Sequence, residues 1–560
     1  MVTPTAKQQE IRDHSRLDLR VVAPAGCGKT EALALRIQGI LERGMVVAPR
    51  RVLVTTFSNR ARDNIKERLA SYLTNAQLRD RVTVSNFHGL SARIFRAHAA
   101  VIGLDPEMAL PDSDWIDEQT KARKLDYDDA DRVKAILQKA KQQAIDDAEV
   151  ERQVAASRNN HAIEIERLRR DENRLTYDDL PRVAELILQH DEVAELYRQH
   201  FGAVVVDEFQ DLTPQQLRIV TRIGYKRTTY AGDLAQGIYG FAGARPIEVD
   251  QAISLECSAE ITFNESHRSS PAVLAAVNAL TPLTGGQVLT AAAPTSWPSG
   301  GLAGLVRFAN INDETDWALA FARSVLTRAP GQRIGVIART ANRRRFVDAA
   351  LEASELPVFR WDDGVMDTDT AKLMKNLLSR LDTKALEQAS NPLEYLREVV
   401  GLTSIQDPST REALASATSW CLDLITQGES VAAIRKRIKV GDESTLLTAA
   451  GVHLLTGHVG KGQQFDWVWI VGAEQGTMPF FKAESREEKA EEARVMAVMM
   501  SRARHGVIVT YTDAVPTLSD NVRSVAPSEF LVQFNGLGMI DMDGIKAWFQ
   551  AADWAAVASR

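Results

Sequence analysis

Cysteine is scarce in this sequence. The 560 residues contain three cysteines, Cys27, Cys257 and Cys421, which are odd in number and far apart. No Cys-x-x-Cys pair or Cys/His cluster has the spacing of a zinc site, and a disulfide framework would need more cysteines. The sequence therefore excludes a disulfide-rich scaffold and predicts a reducing, cytoplasmic environment.

Long apolar segments are also lacking. No run of about 18 apolar residues, the length that crosses a bilayer, occurs anywhere in the chain. The N-terminal residues MVTPTAKQQEIRDHS do not contain the apolar core of a signal peptide. These two absences predict a soluble intracellular protein with no membrane partner.

The sequence has no excess of basic residues. Lys and Arg total 67 against 74 Asp and Glu, which gives a net charge of −7 and a pI near 5.9. This average does not point to a nucleic-acid partner, although polyanion binding requires only a local basic strip. Hydrophobic residues make up 45% and charged residues 25%, as in ordinary globular proteins. Composition alone favours an enzyme with a small-molecule substrate, built from about three or four domains.

Short apolar, β-branched runs alternate with helical patterns in two stretches of the chain. Residues 17–22 and 51–55 have the pattern of strands, and residues 30–41 and 59–72 that of helices. Such apolar runs, bounded by turn signals, are typical of parallel strands covered on both faces. Further runs of this kind are 204–206, 228–231, 261–263, 334–338, 452–455, 468–471 and 507–511. The pattern predicts an α/β fold with two parallel-sheet units.

Two segments interrupt this pattern. Residues 97–175 and 365–440 are polar and rich in helix-forming residues, and we interpret both as helical insertions. Solvated linker helices are the alternative. Residues 282–304 are loop-like and mark the passage between the two α/β units. The predicted organisation is a first sheet domain (1–96 and 176–275) with the insertion 97–175, and a second sheet domain (276–364 and 441–560) with the short insertion 365–440.

A glycine-rich turn, APAGCGKT, occupies residues 23–30 between the first predicted strand and helix. Backbone N–H groups of such a turn bind phosphate, and the N-terminus of the helix favours the anion. Lys29 is predicted to reach the β- and γ-phosphates, and the Thr30 hydroxyl to bind Mg²⁺. Ala23 stands where the strict GxxxxGK[ST] pattern has glycine, and a turn without a ligand is the alternative. The predicted phosphate-binding residues are Ala25, Gly26, Cys27, Gly28, Lys29 and Thr30.

Two adjacent carboxylates follow another apolar run. Residues 204–206 are three valines, and Asp207 and Glu208 come directly after them. Ligands of open α/β sheets bind at the carboxyl ends of the strands. Asp207 is therefore predicted to hold Mg²⁺ through water, and Glu208 to orient or deprotonate the attacking water. An Asp-Glu pair alone is usually a solvated loop, but here it accompanies a phosphate loop.

Further motifs recur along both α/β units. They are TFSNRA (56–61), NFHG (86–89), LTYDDL (175–180), GDLAQGIYGFAGA (232–244), SHRS (266–269), TGHVGKG (456–462), EEAR (491–494), SRAR (501–504) and PSEFL (527–531). In this order they resemble the motifs of superfamily-1 DNA helicases of the UvrD/Rep type. The resemblance implies two RecA-like domains, ATP and Mg²⁺ as cofactors, and DNA as the substrate.

The resemblance also implies roles in ATP hydrolysis. Gln236 would sense the γ-phosphate, and Arg268 and Arg502 would act as arginine fingers, which contribute on the order of 10³–10⁵ in rate. A surface salt bridge is the ordinary alternative for a single arginine. Because Arg502 belongs to the second unit and the phosphate loop to the first, ATP would bind between the two units and its hydrolysis would relax that cleft. The other implied nucleotide contacts are Gln8, Arg36, His267, Lys461 and Gln464.

The same motifs imply residues that bind DNA. Bases of single-stranded DNA stack on aromatic rings for roughly 1–3 kcal/mol each, with little sequence preference. Phe57 and Phe241 are the best candidates for stacking, and His88 and His458 are expected near the DNA backbone. A buried core position is the alternative for Phe57 and for Phe87. The remaining predicted DNA contacts are Asn59, Arg60, Phe87, Tyr239 and Arg339.

Several positions depart from the family pattern. His267 replaces a tyrosine that stacks on adenine, Gln464 replaces a glutamate, and Asn86 replaces a threonine. None of these changes removes the catalytic set, so ATPase activity is still expected. The short insertion at 365–440 is a larger departure, because the family's second insertion is usually much larger and regulates strand separation.

Two functions agree with these motifs. The first is an ATP-dependent helicase or translocase that moves 3′-to-5′ on single-stranded or tailed duplex DNA. The alternative, favoured by the short insertion, is a nucleotide-gated DNA-binding ATPase subunit that docks on a nuclease or effector protein, as in Gabija-like phage-defence systems. A small-molecule kinase is disfavoured, because arginine fingers from a second sheet unit have no role in one.

Overall fold

The structure is a computed structural model that describes residues 3–111, 115–361, 364–366, 368–402, 405, 408–426, 428–440, 448–459, 463–516 and 522–560. Among these, the side chains of a few residues within helices and strands, including Asn59, Arg60 and Phe241, are outside the description. No helix of the described ranges is both long and apolar enough to cross a bilayer.

The strands follow one another along both halves of the chain. They are β1 (Leu19–Val22), β2 (Arg51–Thr56), β3 (Val82–Asn86), β4 (Phe201–Asp207), β5 (Thr228–Gly232), β6 (Ala259–Thr262), β7 (Glu265–Ser266), β8 (Thr290–Ala291), β9 (Leu302–Phe308), β10 (Arg333–Ala338), β11 (Val358–Arg360), β12 (Gly364–Met366), β13 (Ile438–Val440), β14 (Gly451–Thr456), β15 (Phe465–Val471), β16 (Ala503–Thr512), β17 (Ala514–Pro516) and β18 (Val522–Ser524).

Helices connect most of these strands. They are α1 (Ala6–Asp13), α2 (Lys29–Glu42), α3 (Asn59–Ala70), α4 (Asn75–Arg81), α5 (Phe87–His98), α6 (Trp115–Ala122), α7 (Tyr127–Ala140), α8 (Asp147–Ala156), α9 (Asn160–Asp171), α10 (Asp179–Leu188), α11 (Asp191–His200), α12 (Pro214–Gly224), α13 (Pro246–Glu256), α14 (Pro271–Asn278), α15 (Thr281–Thr284), α16 (Ile311–Arg328), α17 (Ala341–Glu352), α18 (Thr368–Arg380), α19 (Thr383–Gln388), α20 (Pro392–Val400), α21 (Pro408–Thr426), α22 (Val431–Arg437), α23 (Arg486–Met500), α24 (Met542–Ala551) and α25 (Trp554–Ser559).

The chain divides into two compact units. The sheet unit consists of Met1–Ser85, His200–Asp362 and Thr448–Arg560, and the helical unit of Asn86–Gln199 and Asp363–Leu447. Both six-stranded sheets belong to the sheet unit. This division differs from the boundaries proposed from the sequence, which stay predictions.

The first sheet has the strand order β3-β2-β4-β5-β1-β6, and its pairs from β2 to β6 are parallel. Every residue of β4 and β5 is buried, as expected for parallel strands with helices on both faces. Val22 pairs with Gly232, and Asp207 pairs with Ala231. The carboxyl ends of β1, β4 and β5 therefore meet at one edge, directly before the phosphate loop, Glu208 and the 232–244 motif.

The second sheet has the order β11-β14-β10-β15-β16-β9, and all of its pairs are parallel. Trp467 and Trp469 of β15 are fully buried in its core. Ala338 pairs with both Thr456 and Val471, so Arg339 and the 456–462 motif begin at the same edge. The two parallel sheets confirm the predicted α/β fold with RecA-like sheet domains.

The helical unit contains both predicted insertions, and each has a hydrophobic core. The first core includes Trp115, Val133, Leu137, Val150 and Ile165. The second includes Met374, Leu396, Leu414, Cys421 and Ile434. Solvated linker helices would not bury such clusters, so both segments are packed helical structures.

The predicted loop at 282–304 is wrong in part. Residues Thr290–Ala291 form β8, which pairs in parallel with β7, and β9 begins at Leu302. Strands of two residues leave no periodic signal in the sequence, because they are shorter than one alternation of inward and outward side chains.

Candidate active site

The phosphate loop joins β1 to α2 and requires glycine at two positions. Gly26 and Gly28 both have φ of +83°, a region that side chains with a Cβ rarely adopt. A Cβ on Gly26 would lie 2.4 Å from the Cβ of Arg268, and a Cβ on Gly28 would lie 2.7 Å from Nε2 of Gln8. The loop is therefore packed against Arg268 on one side and Gln8 on the other, and it leads into α2, whose first residue is Lys29.

A cleft of about 530 Å³ opens in front of this loop. Its volume lies within the roughly 300–1,000 Å³ of typical ligand sites. Residues of α2, α3, β4 and the loops after β1, β4, β5, β7 and β14 line it, and all of them belong to the sheet unit. The lining residues are Ala23, Pro24, Ala25, Gly26, Gly28, Lys29, Thr30, Glu31, Ser58, Ala61, Asn64, Arg68, Asp207, Glu208, Gln236, Arg268 and Gln463.

Lys29 lies against the two predicted catalytic carboxylates. Its Nζ is 3.3 Å from Oδ1 of Asp207 and forms an ion pair with Glu208. Burial lowers the pKa of Lys29, but the carboxylates of Asp207 and Glu208 outweigh burial and raise that pKa above its usual value. Burial raises the pKa of Asp207, opposed by the charge of Lys29. The cleft therefore holds a cation for phosphate beside two carboxylates.

These side chains fit a magnesium ion. Thr30 and Asp207 both line the cleft, and carboxylate and hydroxyl oxygens are ligands that Mg²⁺ accepts. Oδ1 of Asp207 is buried, and Nζ of Lys29 is 3.3 Å from it. A buried carboxylate oxygen is costly unless a cation satisfies it, and here Lys29 is the cation beside it.

The backbone of Glu208 is strained. Its φ of +59° places a non-glycine residue in the left-handed region, at a cost of roughly 1–3 kcal/mol. Gln210 donates from Nε2 to Oε2 of Glu208 at 2.7 Å and accepts from the Asp233 amide at 2.9 Å. This bridge between the loops after β4 and β5 holds the Glu208 carboxylate at the cleft.

Gln236 faces the same cleft from the loop after β5. Its Nε2 donates to Oδ2 of Asp233 at 2.9 Å, and burial raises the pKa of that aspartate. Asp233 also accepts from the Ala235 amide and thereby stabilises the 3₁₀ turn Leu234–Gln236. Sequence reasoning missed Asp233, although it directly follows the last residue of an apolar strand, as Glu208 does.

Arg268 is placed in the cleft by backbone contacts. The His267 amide donates to the Gly26 carbonyl at 3.0 Å, and the Arg268 amide donates to Oγ of Ser266 at 3.3 Å. Burial lowers the pKa of the Arg268 guanidinium. Ser266 was also missed; its hydroxyl would lie 2.8 Å from a Cβ on Gly26, so it helps to shape the loop.

Arg502, the second predicted arginine finger, does not line the cleft. It is 2% exposed, and its guanidinium donates to the carbonyls of Gly457 at 2.6 Å and Val459 at 2.7 Å. Burial lowers its pKa to about 10. In this state Arg502 stabilises the turn after β14, and of the two predicted arginine fingers Arg268 is the one at the cleft.

The other predicted nucleotide contacts are spread over several elements. Gln8 forms a capping box with Thr5 in α1, and its Nε2 donates to the Gly28 carbonyl at 3.3 Å. His267 is exposed. Gln464 does not line the cleft, whereas its neighbour Gln463 does. Lys461 lies outside the described residues.

Arg36 does not agree with its predicted role as a nucleotide contact. It is fully buried, and its guanidinium donates to the carbonyls of Ile11, His14 and Arg16. These contacts attach α1, which carries Gln8, to α2. A helix position alone did not distinguish a ligand contact from such a structural one.

Two of the predicted DNA-contacting rings stack on each other. Phe57 and Tyr239 have ring centroids 5.0 Å apart and planes 14° apart. They come from the loops after β2 and β5, so the pair sits at the carboxyl edge of the first sheet. Burial raises the pKa of Tyr239 to about 12. The neighbouring side chains of Asn59, Arg60 and Phe241 lie outside the described part of the chain.

Phe87 is a core residue in this structure, and its contact with DNA stays a prediction. It is 3% exposed and lies on the buried face of α5, followed at helical spacing by Leu90 and Ile94. The adjacent His88 packs edge-on against Tyr177 at 5.4 Å, and burial lowers the pKa of His88. Both residues belong to the helical unit.

Arg339 is engaged by a carboxylate. It forms a bidentate ion pair with Glu492, with its Nη2 2.7 Å from Oε1, and lies 5.1 Å above the ring of Phe480. His458 follows β14 and is half-buried. The predicted DNA contacts of the second sheet thus lie at the carboxyl ends of β10 and β14.

One wall of the cleft had not been anticipated from the sequence. Ala61, Asn64 and Arg68 project from one face of α3, three and four residues apart, and Arg68 pairs with Glu31 at 3.1 Å. The helical spacing was visible in the sequence, but nothing local indicated which face of α3 meets the phosphate loop.

Comparisons with known proteins agree with this geometry. Residues 5–254 match the family model of the UvrD/REP helicase N-terminal domain, and residues 371–514 match the UvrD-like helicase C-terminal domain. Together the two matches cover more than half of the chain.

Similar proteins include several helicases. The chain is 26% identical to "ATP-dependent DNA helicase UvrD2" of Mycobacterium tuberculosis, over 91% of this chain and 78% of that protein. It is 24% identical to "ATP-dependent DNA helicase UvrD1" of Mycobacterium bovis, over 90% of this chain and 81% of that protein. It is 27% identical to "ATP-dependent DNA helicase PcrA" of Leuconostoc citreum, over 49% of this chain and 38% of that protein.

Proposed function

Since the chain belongs to the UvrD/Rep family of superfamily-1 helicases and is thus an ATP-hydrolysing DNA helicase, we propose that it moves 3′-to-5′ along single-stranded DNA. Each step is driven by ATP hydrolysed between the two parallel sheets. The enzyme acts in the cytoplasm on single-stranded or tailed duplex DNA. The direction of movement rests on the family resemblance.

One observation carries the proposed hydrolysis. Lys29, Asp207, Glu208, Gln236 and Arg268 come from four separate segments, yet all line one cleft in front of a glycine-rich loop. A phosphate-binding cation, two carboxylates and an arginine are the parts that phosphoryl transfer to water requires. A glycine-rich turn that binds no ligand would not account for these five side chains lining one cleft.

We propose the following roles for these groups. Lys29 binds the β- and γ-phosphates, and Arg268 neutralises negative charge that develops on the transferred phosphoryl group. Thr30 and Asp207 hold Mg²⁺, which supplies charge neutralisation at the phosphate oxygens when bound. Glu208 accepts the proton of the attacking water, and Gln236 orients the γ-phosphate. Entry of nucleotide separates Lys29 from the carboxylates with which it now pairs.

The DNA site is proposed at the carboxyl edges of the two sheets. The Phe57–Tyr239 stack supports base stacking at the first edge, and Arg339 and His458 support a backbone contact at the second. Stacking of this kind is tolerant of sequence, as a translocating enzyme requires.

The decisive measurement is ATPase activity of the Glu208→Gln variant with and without single-stranded DNA. We expect turnover to fall by at least about 10²-fold, because a general base contributes roughly 10²–10⁴. Nucleotide binding, measured by fluorescence of a labelled ATP analogue, should persist. Glu355→Gln is the control, since Glu355 is an exposed glutamate beyond the end of α17. ATPase that DNA does not stimulate, with no affinity for DNA at low salt, would contradict the proposal.

Direction is tested with 3′-tailed and 5′-tailed duplexes. The proposal expects strand displacement on the 3′-tailed duplex alone. Displacement that appears only after a purified nuclease or effector partner is added would favour the subunit role, for which the short insertion at 365–440 is the supporting observation. Preference for the 5′ tail would contradict the proposed direction.

A further inference from the structure

Two side chains of α23 hold the loop that follows Gln236. Oε1 of Glu491 accepts from the Gly240 amide at 2.9 Å, and Nε of Arg494 donates to the Gly237 carbonyl at 2.8 Å. Glu491 and Arg494 are three residues apart and therefore share one face of the helix. The two contacts hold residues 237–240 at both ends. The helix α23 lies between strands β15 and β16 of the second sheet, whereas this loop follows β5 of the first sheet.

The contact region is buried. Arg494 is 2% exposed, and Ile238, between the two gripped residues, is fully buried in the hydrophobic core that also contains Val495 and Met496. A buried guanidinium is costly unless its donors are satisfied. Burial lowers the pKa of Arg494, and burial raises that of Glu491. The loop is thus inserted into the second sheet's core rather than lying on its surface.

The Glu491 carboxylate occupies the space that a side chain at position 240 would need. A Cβ on Gly240 would lie 2.2 Å from Oε2 of Glu491, and this is the nearest contact it would make. Gly240 does not have a positive φ, so its backbone alone would accept alanine. The missing side chain is what lets the Glu491 carboxylate reach the amide.

The same loop joins groups of both proposed sites. Gln236 at its start lines the nucleotide cleft, and Tyr239 stacks on Phe57. Next to Glu491 on α23, Glu492 binds Arg339 and accepts from the Phe480 amide. The helix ends at Met500, two residues before Arg502. A shift of the loop therefore requires a shift of the helix that precedes Arg502.

We propose that Glu491 and Arg494 are positioning residues for ATP hydrolysis: by holding residues 237–240 they fix Gln236 and link it to the DNA-facing residues of both sheets. This inference rests on the proposed function. Neither side chain lines the nucleotide cleft, so each acts through the loop it holds and not on the nucleotide. Loss of the grip should slow turnover while leaving nucleotide binding nearly unchanged.

The test is a double-mutant cycle with Gly240→Ala, Glu491→Ala and the two combined, assayed for DNA-stimulated ATPase. We expect each single variant to lower kcat by about tenfold, the loss expected for one hydrogen bond to a charged group. KM for ATP should change by less than about threefold, because ground-state binding is not touched. The double variant should resemble Glu491→Ala, since the new methyl group has space once the carboxylate is gone.

Two further variants separate positioning from loss of fold. Glu491→Gln keeps a carbonyl acceptor for the Gly240 amide and should retain kcat to within about threefold. Glu484→Ala removes an exposed glutamate just before α23 and should behave as the wild type. Urea unfolding of Gly240→Ala, Glu491→Ala and the double variant should show the same non-additivity as their kcat values.

Three results would overturn the inference alone: an unchanged kcat in Gly240→Ala, multiplied losses of about a hundredfold in the double variant, or a KM that rises as much as kcat falls. A wild-type chain without DNA-stimulated ATPase would refute the proposed function, and the inference with it.

Discussion

Arg343 lies between two buried carboxylates of the second sheet. Its Nη2 is 2.6 Å from Oε2 of Glu314 and 2.8 Å from Oε1 of Glu474, and its Nε donates to Glu474 at 3.1 Å. All three side chains are at most 4% exposed. The neighbouring carboxylates raise the pKa of Arg343 despite its burial. This triad attaches α17 to α16 and to the segment after β15.

Replacing Arg343 with methionine removes the cation and leaves both carboxylates buried. Breaking a buried ion pair by removing one partner costs about 3–5 kcal/mol. We therefore expect the free energy of unfolding to fall by about 3–5 kcal/mol near neutral pH.

The loss should depend on pH in a defined direction. Burial already raises the pKa of Glu314 above that of the unfolded chain, and Arg343 opposes this rise. Without Arg343 the folded-state pKa rises further, so the variant takes up a proton on folding. A group of this kind stabilises the fold at low pH, and the stabilisation is lost as pH rises through the folded pKa. The variant's deficit should therefore shrink by at least about 1 kcal/mol between about pH 8 and pH 5.

Urea unfolding followed by tryptophan fluorescence measures this effect. All but Trp115 and Trp420 of the nine tryptophans belong to the sheet unit, so the signal reports mainly on the sheet unit. Adding Glu314→Gln to the Arg343→Met variant removes one of the two buried negative charges that then lack a cation, and should recover part of the loss. A deficit below about 1 kcal/mol, or one that is equal at both pH values, would refute the reasoning.

Two other predictions concern buried charge. Asp179→Asn in the helical unit removes the negative charge that lies 2.8 Å from Lys141 and 2.9 Å from Arg182. Limited proteolysis should therefore show a helical unit destabilised by about 3–5 kcal/mol, and an unchanged cleavage rate would contradict this. His453 accepts from Trp361 through Nδ1 and lies 2.8 Å from the Ala449 carbonyl through Nε2, and burial lowers its pKa to about 4. A histidine with a depressed folded pKa stabilises the fold above its unfolded pKa. Unfolding free energy should thus decline by up to about 3 kcal/mol as pH falls from about 6.5 to 4, and His453→Gln, assayed by the same urea titration, should decline less.

Sequence reasoning succeeded where local chemistry dictates local structure. Every apolar run proposed as a strand lies within or overlaps a strand of the two sheets, because parallel strands buried on both faces must be continuously apolar. The phosphate loop and the carboxylates after β4 followed from their order along the chain. The carboxyl ends of neighbouring parallel strands meet at one edge, so Lys29, Asp207 and Glu208 had to come together.

The same reasoning did not foresee burial that depends on distant packing. Phe87 and Arg36 carry the chemistry of ligand contacts, but one is a core residue of α5 and the other holds α1 to α2. An aromatic ring or a guanidinium looks alike in the sequence whether it faces solvent or the core. The elements that cover these two side chains are set by the fold.

The two sheets, the phosphate loop and the pair of carboxylates after β4 could be predicted from the sequence, since they follow from backbone geometry and from the hydrophobic pattern over a few residues. Which arginine reaches the cleft, and how the sheets are linked, depend instead on the packing of distant segments. Gly240 and Glu491 are 251 residues apart, yet an added methyl group on one would displace the other. Such a match depends on distances of a few tenths of an ångström between surfaces that meet only in the folded chain, and no local pattern contains it.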